Sequence, residues 1–201
     1  MIKDNYIFVH IPKTAGSSLE HRLGGFPDEK YYTTYDHNRG IPLQHLTASE
    51  IKKELGKTKF DEKYKFTIIR NPFSKCISEY FWWIRFHTNH ISFKDWVVKE
   101  HSDLLNIPQK RPILQKHNIE QYKFIYDTDN NILVDFVGRF ENLQEDFNII
   151  CDKIGIPQQE LPHQNKSKHK HYTEYYDDET RQIVAERYAK DIEYFGYDFG
   201  G

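Results

Sequence analysis

Short apolar and aromatic runs alternate along the chain with longer stretches in which apolar side chains recur every three or four positions. The short runs are rich in β-branched and aromatic residues and almost continuously apolar, as is typical of buried parallel strands. The pattern predicts strands at residues 6–11, 31–35, 64–70, 123–126 and 133–140.

The longer stretches between these strands have helical periodicity, and several carry start or stop signals. The pattern predicts helices at residues 17–23, 48–55, 72–85, 93–100, 142–154 and 177–191. Thr47 and Glu50 form a capping box in front of the second helix, and Asn71 with Pro72 supplies the N-cap and first position of the third. Alternating strands and helices imply an α/β fold with a central parallel sheet flanked by helices.

Chain length limits the number of domains, and charge limits the kinds of binding partner. A chain of 201 residues is long enough for one sizeable core, and we expect a single domain over residues 1–201. Its 28 Lys and Arg nearly balance 30 Asp and Glu, which argues against binding to duplex nucleic acid or an anionic membrane surface. Any anion-binding site must therefore be formed by a small group of residues, because the net charge of the chain does not attract anions.

The two cysteines and the N-terminal segment bear on the cellular compartment in which the protein is expected. Cys76 and Cys151 are far apart in sequence and lack metal-ligand spacing, so we expect two reduced, partly buried thiols. The sequence has no leader pattern and no run of about 20 apolar residues that could span a bilayer. We therefore expect a soluble, cytoplasmic protein.

The segment HIPKTAGSSL, residues 10–19, directly follows the first predicted strand and has the composition of a phosphate-binding loop. In the triphosphate-binding loop the lysine follows the second glycine, whereas here Lys13 precedes Gly16. Gly16 would let the backbone approach a ligand, and backbone N–H groups and hydroxyls would donate to it. Three interpretations stay open: a degenerate ATPase loop, a loop for another phosphate compound, or a plain turn in which Ser17 caps the helix.

A second candidate loop, RNPFSKCISEY, follows the third predicted strand. Arg70 would leave this strand at the carboxyl edge of the sheet, where ligands bind in open parallel sheets. Its guanidinium suits a phosphate, and the following helix presents Ser74 and Ser78 one turn apart. The alternative is an arginine paired with a nearby carboxylate, Glu79 or Glu141.

The two loops together are more specific than either alone, because they fit a ligand with phosphates at both ends of one nucleoside. HIPKTAGSS followed by RNPFSKCISEY resembles the nucleotide-binding motifs of sulfotransferases, especially the branch that includes carbohydrate O-sulfotransferases. The resemblance extends to VGRFENLQEDF and to the C-terminal region from NKSKHKHY to DIEYFGYDF, and leaves residues 85–122 unassigned. It implies a P-loop-like three-layer domain.

The resemblance also implies 3′-phosphoadenosine 5′-phosphosulfate (PAPS) as the sulfuryl donor. Arg70 and Ser78 would hold its 3′-phosphate. No metal is expected, because the transferred sulfuryl group carries less charge than a γ-phosphate and no apolar strand ends in an Asp for Mg²⁺. The residues that would hold the 5′-phosphosulfate are Lys13, Thr14, Ala15, Gly16, Ser17 and Ser18.

Sulfuryl transfer also needs charge neutralisation on the leaving phosphate and a base for the acceptor hydroxyl. Lys13 is the candidate for the first role. His45, in IPLQHLTASEI, is the preferred base, because similar sulfotransferases have a catalytic His at about this place, and His37 is the second candidate. His10 alternates with apolar residues of the first strand, so we expect a structural group beside the loop.

The basic segment at residues 163–172 is interpreted as a solvated loop, because no carboxylate or cysteine has metal-ligand spacing around its histidines. These histidines are His163, His169 and His171. The resemblance implies that the loop folds over the nucleotide, which makes Ser167 a donor contact and Lys166 or Lys168 further candidates.

The sequence therefore predicts a PAPS-dependent O-sulfotransferase that acts on a hydroxyl, with a carbohydrate as the expected acceptor. Two alternatives stay open: a P-loop kinase or nucleotide hydrolase that uses ATP and Mg²⁺, and a nucleotide-binding protein without catalysis. Trp82 and Trp83, on the helix that carries Ser78, either pack in the core or stack on a sugar.

Overall fold

The computed structural model describes residues 1–24, 35–36, 41–86, 91–100, 116–117, 119–162 and 170–201. The chain divides into two compact units. Unit 1 comprises Met1–Ile69 and Gln121–Gln164, and unit 2 comprises Arg70–Glu120 and Asn165–Gly201. A single domain over residues 1–201 stays a prediction.

A three-stranded parallel sheet forms the centre of unit 1. The strands in chain order are β1 (Tyr6–Val9), β2 (Tyr35–Asp36), β3 (Ile41–Pro42), β4 (Tyr64–Ile69) and β5 (Phe136–Arg139). The parallel sheet has the order β1-β4-β5, while β2 and β3 form a separate antiparallel pair. Val9 pairs with Thr67, and the Thr67 hydroxyl donates to the Val9 carbonyl at 2.7 Å. The predicted α/β class with a central parallel sheet is confirmed.

Helices flank this sheet in unit 1 and make up most of the described part of unit 2. In chain order they are α1 (Gly16–Arg22), α2 (Ala48–Leu55), α3 (Lys57–Asp61), α4 (Pro72–Trp83), α5 (Phe93–Asp95), α6 (Tyr122–Ile125), α7 (Leu143–Ile154), α8 (Asp178–Arg187) and α9 (Ala189–Phe195). Short 3-10 helices cover Leu43–His45, Ile84–Phe86, Phe140–Asn142 and Tyr172–Tyr175, and a π-helix covers Trp96–Glu100. Within the described residues, no helix is both long and apolar enough to cross a membrane.

Each unit has its own hydrophobic core. In unit 1, Phe8 and Phe66 of the sheet pack with Leu19 of α1 and Phe147 of α7. The core of unit 2 is built mainly from aromatic side chains of α4 and its neighbours. These include Phe73, Tyr80, Trp83, Phe93, Trp96, Tyr172 and Tyr188. Trp83 is therefore a core residue.

The local signals for helix starts are confirmed. The Thr47 hydroxyl accepts from the Glu50 backbone N–H at 3.2 Å, and the Glu50 carboxylate accepts from the Thr47 N–H at 2.7 Å. The Asn71 side-chain oxygen accepts from the Phe73 N–H at 3.0 Å, with Pro72 at the first helical position. The N-cap of α4 thus lies one residue after Arg70, and the helix itself begins two residues after it.

Three predicted elements differ from the structure. The helix predicted at residues 93–100 is α-helical only over Phe93–Asp95 and continues as a π-helix over Trp96–Glu100. Residues 123–126 were expected as a strand, but Tyr122–Ile125 forms one helical turn that buries Phe124 and Ile125. A four-residue apolar run does not distinguish a strand from a buried turn of helix. The last predicted helix is divided at Tyr188, whose φ of −106° and ψ of 27° depart from helical values.

Candidate functional site

The loop after β1 has an alternating backbone conformation. Lys13 has a φ of 66° and Ala15 a φ of 68°, whereas Thr14 and Gly16 stay outside the positive region. Alternation of this kind turns successive backbone N–H groups toward one side, which is the geometry of anion-binding nests. Non-glycine residues rarely adopt positive φ, so this loop holds strained backbone at two positions.

The hydroxyls of this loop have different environments. The Thr14 hydroxyl is fully buried and donates to the Ile11 carbonyl at 2.9 Å, so it closes the turn. Ser17 is half-buried and Ser18 is buried. The N-cap of α1 is Ala15, without a side-chain cap, so the interpretation in which Ser17 caps the helix is wrong. Thr14 can therefore offer a ligand its backbone N–H, whereas its hydroxyl proton is already used.

Gly16 is required by a close approach of the His10 ring. A Cβ atom at this position would lie 2.0 Å from Nε2 of His10 and 2.1 Å from its Cδ2. The His10 ring also stacks on Phe8, with ring centroids 5.5 Å apart. His10 thus lies beside the loop as expected, and it occupies the space that a side chain at Gly16 would need.

His45 lies at the end of the 3-10 helix Leu43–His45 and is only 5% exposed. Its Nδ1 is 3.0 Å from the carbonyl oxygen of His10, and the two rings meet edge to face at 4.6 Å. Because a carbonyl oxygen only accepts, Nδ1 carries the proton of the neutral ring. Nε2 is then the basic nitrogen, as a general base requires.

Glu20 and Gln44 complete this cluster, and the sequence analysis missed both. Glu20 Oε1 lies 3.1 Å from Nδ1 of His10, and its Oε2 accepts from Gln44 Nε2 at 2.9 Å. Burial alone would raise the pKa of Glu20, but the charge and hydrogen bonding of His10, with the hydrogen bond from Gln44, hold the pKa below its ordinary value. A glutamate one turn into a helix usually faces solvent, so its position in the sequence carries no distinguishing signal.

Arg70 belongs to unit 2 and directly follows Ile69, the last residue of β4. It is 9% exposed, and its Nε donates to the Ser74 hydroxyl at 3.0 Å. Ser74 and Ser78 are both half-buried and are spaced one turn apart on α4. The bond to Nε restricts the guanidinium of Arg70, which makes Ser74 a further member of this candidate site.

Glu79 lies in a buried cluster with Lys75 and His117. Its carboxylate oxygens are 3.3 Å from Lys75 Nζ and 2.9 Å from His117 Nδ1, and all three side chains are buried. Lys75 also donates to the His117 carbonyl at 3.0 Å. Trp82 stacks on His117 with centroids 4.4 Å apart, so the structure gives this ring a protein partner.

Some predicted site residues lie outside the described part of the chain. They are His37 and Ser167, together with Lys166, Lys168, His163 and His169. Among the residues that the structure describes, no group of three or more His, Cys, Asp or Glu side chains could hold a metal ion. The two thiols, Cys76 and Cys151, are free and buried.

Comparison with known proteins identifies the family. The sequence matches the model of the sulfotransferase family over residues 2–198. The chain belongs to the sulfotransferase family. An uncharacterized protein of Archaeoglobus fulgidus is 33% identical over 116 residues, which cover 57% of this chain and 86% of that protein.

Two solved sulfotransferases share the fold. The enzyme from Alicyclobacillus acidocaldarius has a TM-score of 0.53 at 14% identity, over 96% of this chain and 94% of that one. Mouse sulfotransferase SULT7A1, solved in complex with PAP, has a TM-score of 0.53 at 13% identity, over 95% of this chain and 84% of that one. The protein is therefore a sulfotransferase with an α/β, P-loop-like fold, and the kinase, hydrolase and non-catalytic alternatives are set aside.

Proposed function

We propose that this sulfotransferase transfers a sulfuryl group from PAPS to a hydroxyl of a carbohydrate, with His45 as the base. The observation that carries the proposal is that His10 contacts both Gly16 of the candidate donor loop and His45. A loop suited to an anion and a histidine with a basic Nε2 are thus neighbours within unit 1. The donor is further supported by the PAP complex of the mouse sulfotransferase, because PAP, adenosine 3′,5′-bisphosphate, is PAPS without its sulfuryl group.

The donor loop would act mainly through its backbone. The positive φ values of Lys13 and Ala15 direct N–H groups that suit an anionic phosphosulfate. Lys13 would neutralise charge that develops on the leaving 5′-phosphate, and Ser17 and Ser18 would add hydroxyl contacts. The cradle fits the group because a loop with alternating backbone conformation offers N–H donors on one side, and Lys13, Ser17 and Ser18 can add a cation and hydroxyls for an anion.

Arg70 and Ser78 would hold the 3′-phosphate of the donor. This assignment rests on the motif resemblance and is supported by the hydrogen bond from Arg70 Nε to Ser74, which limits the guanidinium to fewer orientations. A guanidinium restricted before binding loses less conformational entropy when it pairs with a phosphate. Ser167 completes the proposed set and lies outside the described residues.

His45 would accept the proton of the acceptor hydroxyl at Nε2. The bound donor supplies the sulfuryl group, whose bond to the 5′-phosphate oxygen breaks as the bond to the acceptor oxygen forms. The hydrogen bond from Nδ1 to the His10 carbonyl stabilises the tautomer that this step requires. The same bond becomes stronger when the ring takes up a second proton and turns positive, which favours proton uptake.

A carbohydrate acceptor is supported by the branch of the family that the two motifs resemble. The free thiols Cys76 and Cys151 fit a reducing compartment, so we propose that the enzyme acts in the cytoplasm. A panel of polysaccharides, oligosaccharides and small hydroxylated metabolites, assayed with labelled PAPS, would identify the acceptor. Labelling of the small metabolites alone would contradict a carbohydrate acceptor.

Calorimetry with adenosine 3′,5′-bisphosphate, beside ATP with Mg²⁺, tests the donor. We expect the bisphosphate to bind more tightly, and binding of ATP without any response to the bisphosphate would overturn the proposal. Arg70→Ala should weaken bisphosphate binding by about 10- to 100-fold, the value of a charge-assisted hydrogen bond or two.

Turnover of His45→Ala tests the base. We expect a loss of about 100-fold or more, the usual contribution of a positioned base, with bisphosphate affinity close to that of wild type. Full turnover in this variant would transfer the role to His37 or another group.

A further inference from the structure

A closed network of contacts in unit 1 joins Glu20, His10, His45 and Gln44. Glu20 lies 3.1 Å from His10 Nδ1 and accepts from Gln44 at 2.9 Å. The network closes because Gln44 and His45 are consecutive residues of one 3-10 helix, and His45 Nδ1 donates to the His10 carbonyl at 3.0 Å. The two oxygens of one buried carboxylate therefore contact His10 and Gln44, the two residues through which Glu20 is connected to the candidate base.

We propose that Glu20 is a positioning residue that fixes the ring of His45 through His10 and Gln44. The inference rests on the proposed role of His45 as the base. Glu20 would not touch the donor or the acceptor, and its effect would reach the reaction only through the orientation and tautomer of His45. His10 would transmit this effect through its contacts with the His45 imidazole, and Gln44 would transmit it as the residue that directly precedes His45 in the 3-10 helix.

The cost of burying Glu20 supports a role beyond packing. A buried carboxylate is unfavourable unless it is paired and hydrogen-bonded, and a buried pair stabilises a fold little compared with apolar side chains of the same volume. Glu20 is 4% exposed and faces a His and a Gln, in a helix whose neighbouring Leu19 lies in the core. What these contacts do supply is orientation, because Glu20 Oε1 lies against His10 and Oε2 accepts from Gln44, which together limit the rotation of the carboxylate.

The same contacts explain why His10 needs an anchor. The His10 ring lies against Gly16, so it can move toward the loop only by displacing backbone. Glu20 holds the opposite, Nδ1 side of the ring. A rotation of the His10 side chain would move the ring against which His45 packs edge to face at 4.6 Å, beside the hydrogen bond from His45 Nδ1 to the His10 carbonyl.

The test compares Glu20→Gln with Glu50→Gln, a matched change at a carboxylate of the same unit that caps α2. Glu20→Gln keeps the shape and removes the charge. We expect it to lower kcat between about 10- and 100-fold, as a small misplacement of a reacting group does, and to leave bisphosphate affinity within about twofold. Glu50→Gln should leave both quantities near wild type. An equal loss of kcat in both variants would overturn the proposal.

A double variant separates positioning from structural damage. If Glu20 acts only through His45, adding Glu20→Gln to His45→Ala should lower the remaining turnover by less than about twofold. The same fold-loss in the presence and absence of His45 would overturn the proposal. A loss of bisphosphate affinity that accounts for the fall in activity would do so as well.

A nitrogen NMR spectrum of the histidines tests the proposal without any assay of transfer. In wild type we expect neutral His45 to carry its proton on Nδ1, and in Glu20→Gln we expect a mixture with the Nε2–H tautomer. An unchanged tautomer would refute the positioning role even if the enzyme proves to use another donor or base. Gln44→Ala, at a half-buried site, gives the same readout if Glu20→Gln fails to fold.

Discussion

The contact between His10 and Gly16 gives the most direct test of the loop geometry. In Gly16→Ala the new methyl carbon would lie 2.0 Å from Nε2 of His10. The His10 ring would have to withdraw by about 1.5 Å to reach an ordinary contact distance. It has little room to do so, because Phe8, His45 and Glu20 surround it.

The expected size of the effect follows from this confinement. Overpacking of a closed site costs about 1–3 kcal/mol, which for a chain of this length lowers Tm by roughly 3–9 °C. The larger consequence should be kinetic, because a shift of about 1 Å at a reacting group can lower turnover by about 100-fold. Bisphosphate affinity should fall together with turnover, since the loop itself is displaced.

Gly155→Ala is the matched control. Gly155 has a φ of 76°, and a Cβ there would meet no atom within 4 Å, so the change introduces backbone strain without a clash. We expect a loss of about 1 kcal/mol in the free energy of unfolding, with turnover and bisphosphate affinity unchanged. Thermal unfolding, calorimetry and an initial-rate assay on the two variants separate strain from displacement of the loop.

The double variant His10→Ala, Gly16→Ala shows whether a clash with the His10 ring causes the loss of stability in Gly16→Ala. With the ring removed, Gly16→Ala should cost less than about 0.5 kcal/mol beyond His10→Ala alone. If Gly16→Ala leaves stability and bisphosphate affinity at wild-type values, the close approach of His10 to the loop is refuted. An undiminished cost in the His10→Ala background would assign the effect to the backbone of the loop instead.

Three further predictions concern single groups. Ser74→Ala removes the hydroxyl that accepts from Arg70 Nε, so calorimetry should show bisphosphate affinity lowered about fivefold, and unchanged affinity would exclude this support for Arg70. Burial raises the pKa of Cys76 to about 12, so an aromatic disulfide reagent should label this thiol only after denaturation, and rapid labelling of native protein would contradict its burial. The pKa of Glu20 lies below its ordinary value of 4.5, so its contribution to stability is present above that pH and is lost as the pH falls through the lower value. The decline of Tm in acid should be shallower in Glu20→Gln, and an identical decline in both proteins would show that Glu20 does not contribute.

The sequence predicted those features that neighbouring residues determine. The capping box of Thr47 and Glu50 and the start of α4 at Asn71 and Pro72 depend on residues within four positions of each other. The apolar runs of β1 and β4 predicted the parallel sheet for the same reason, since a strand buried on both faces is recognisable from its own residues.

The contacts inside the candidate site could not be predicted in this way. His10 and His45 are 35 positions apart, and Glu20 and Gln44 are 24 apart. Nothing local indicates that these side chains meet, because their encounter depends on how the chain returns beside β1. Arg70 and Ser74 are close in sequence, but many serines on the first turn of a helix simply face solvent.

The contact of His10 with Gly16 and Glu20 has a consequence for how related sequences vary. A larger residue at position 16 requires a smaller one at position 10, and an apolar residue at position 10 leaves one oxygen of the buried carboxylate at position 20 without its partner. The three positions should therefore covary across an alignment of homologues. A relative without a histidine at position 10 should no longer require glycine at position 16, and it should carry an apolar residue where this chain has Glu20.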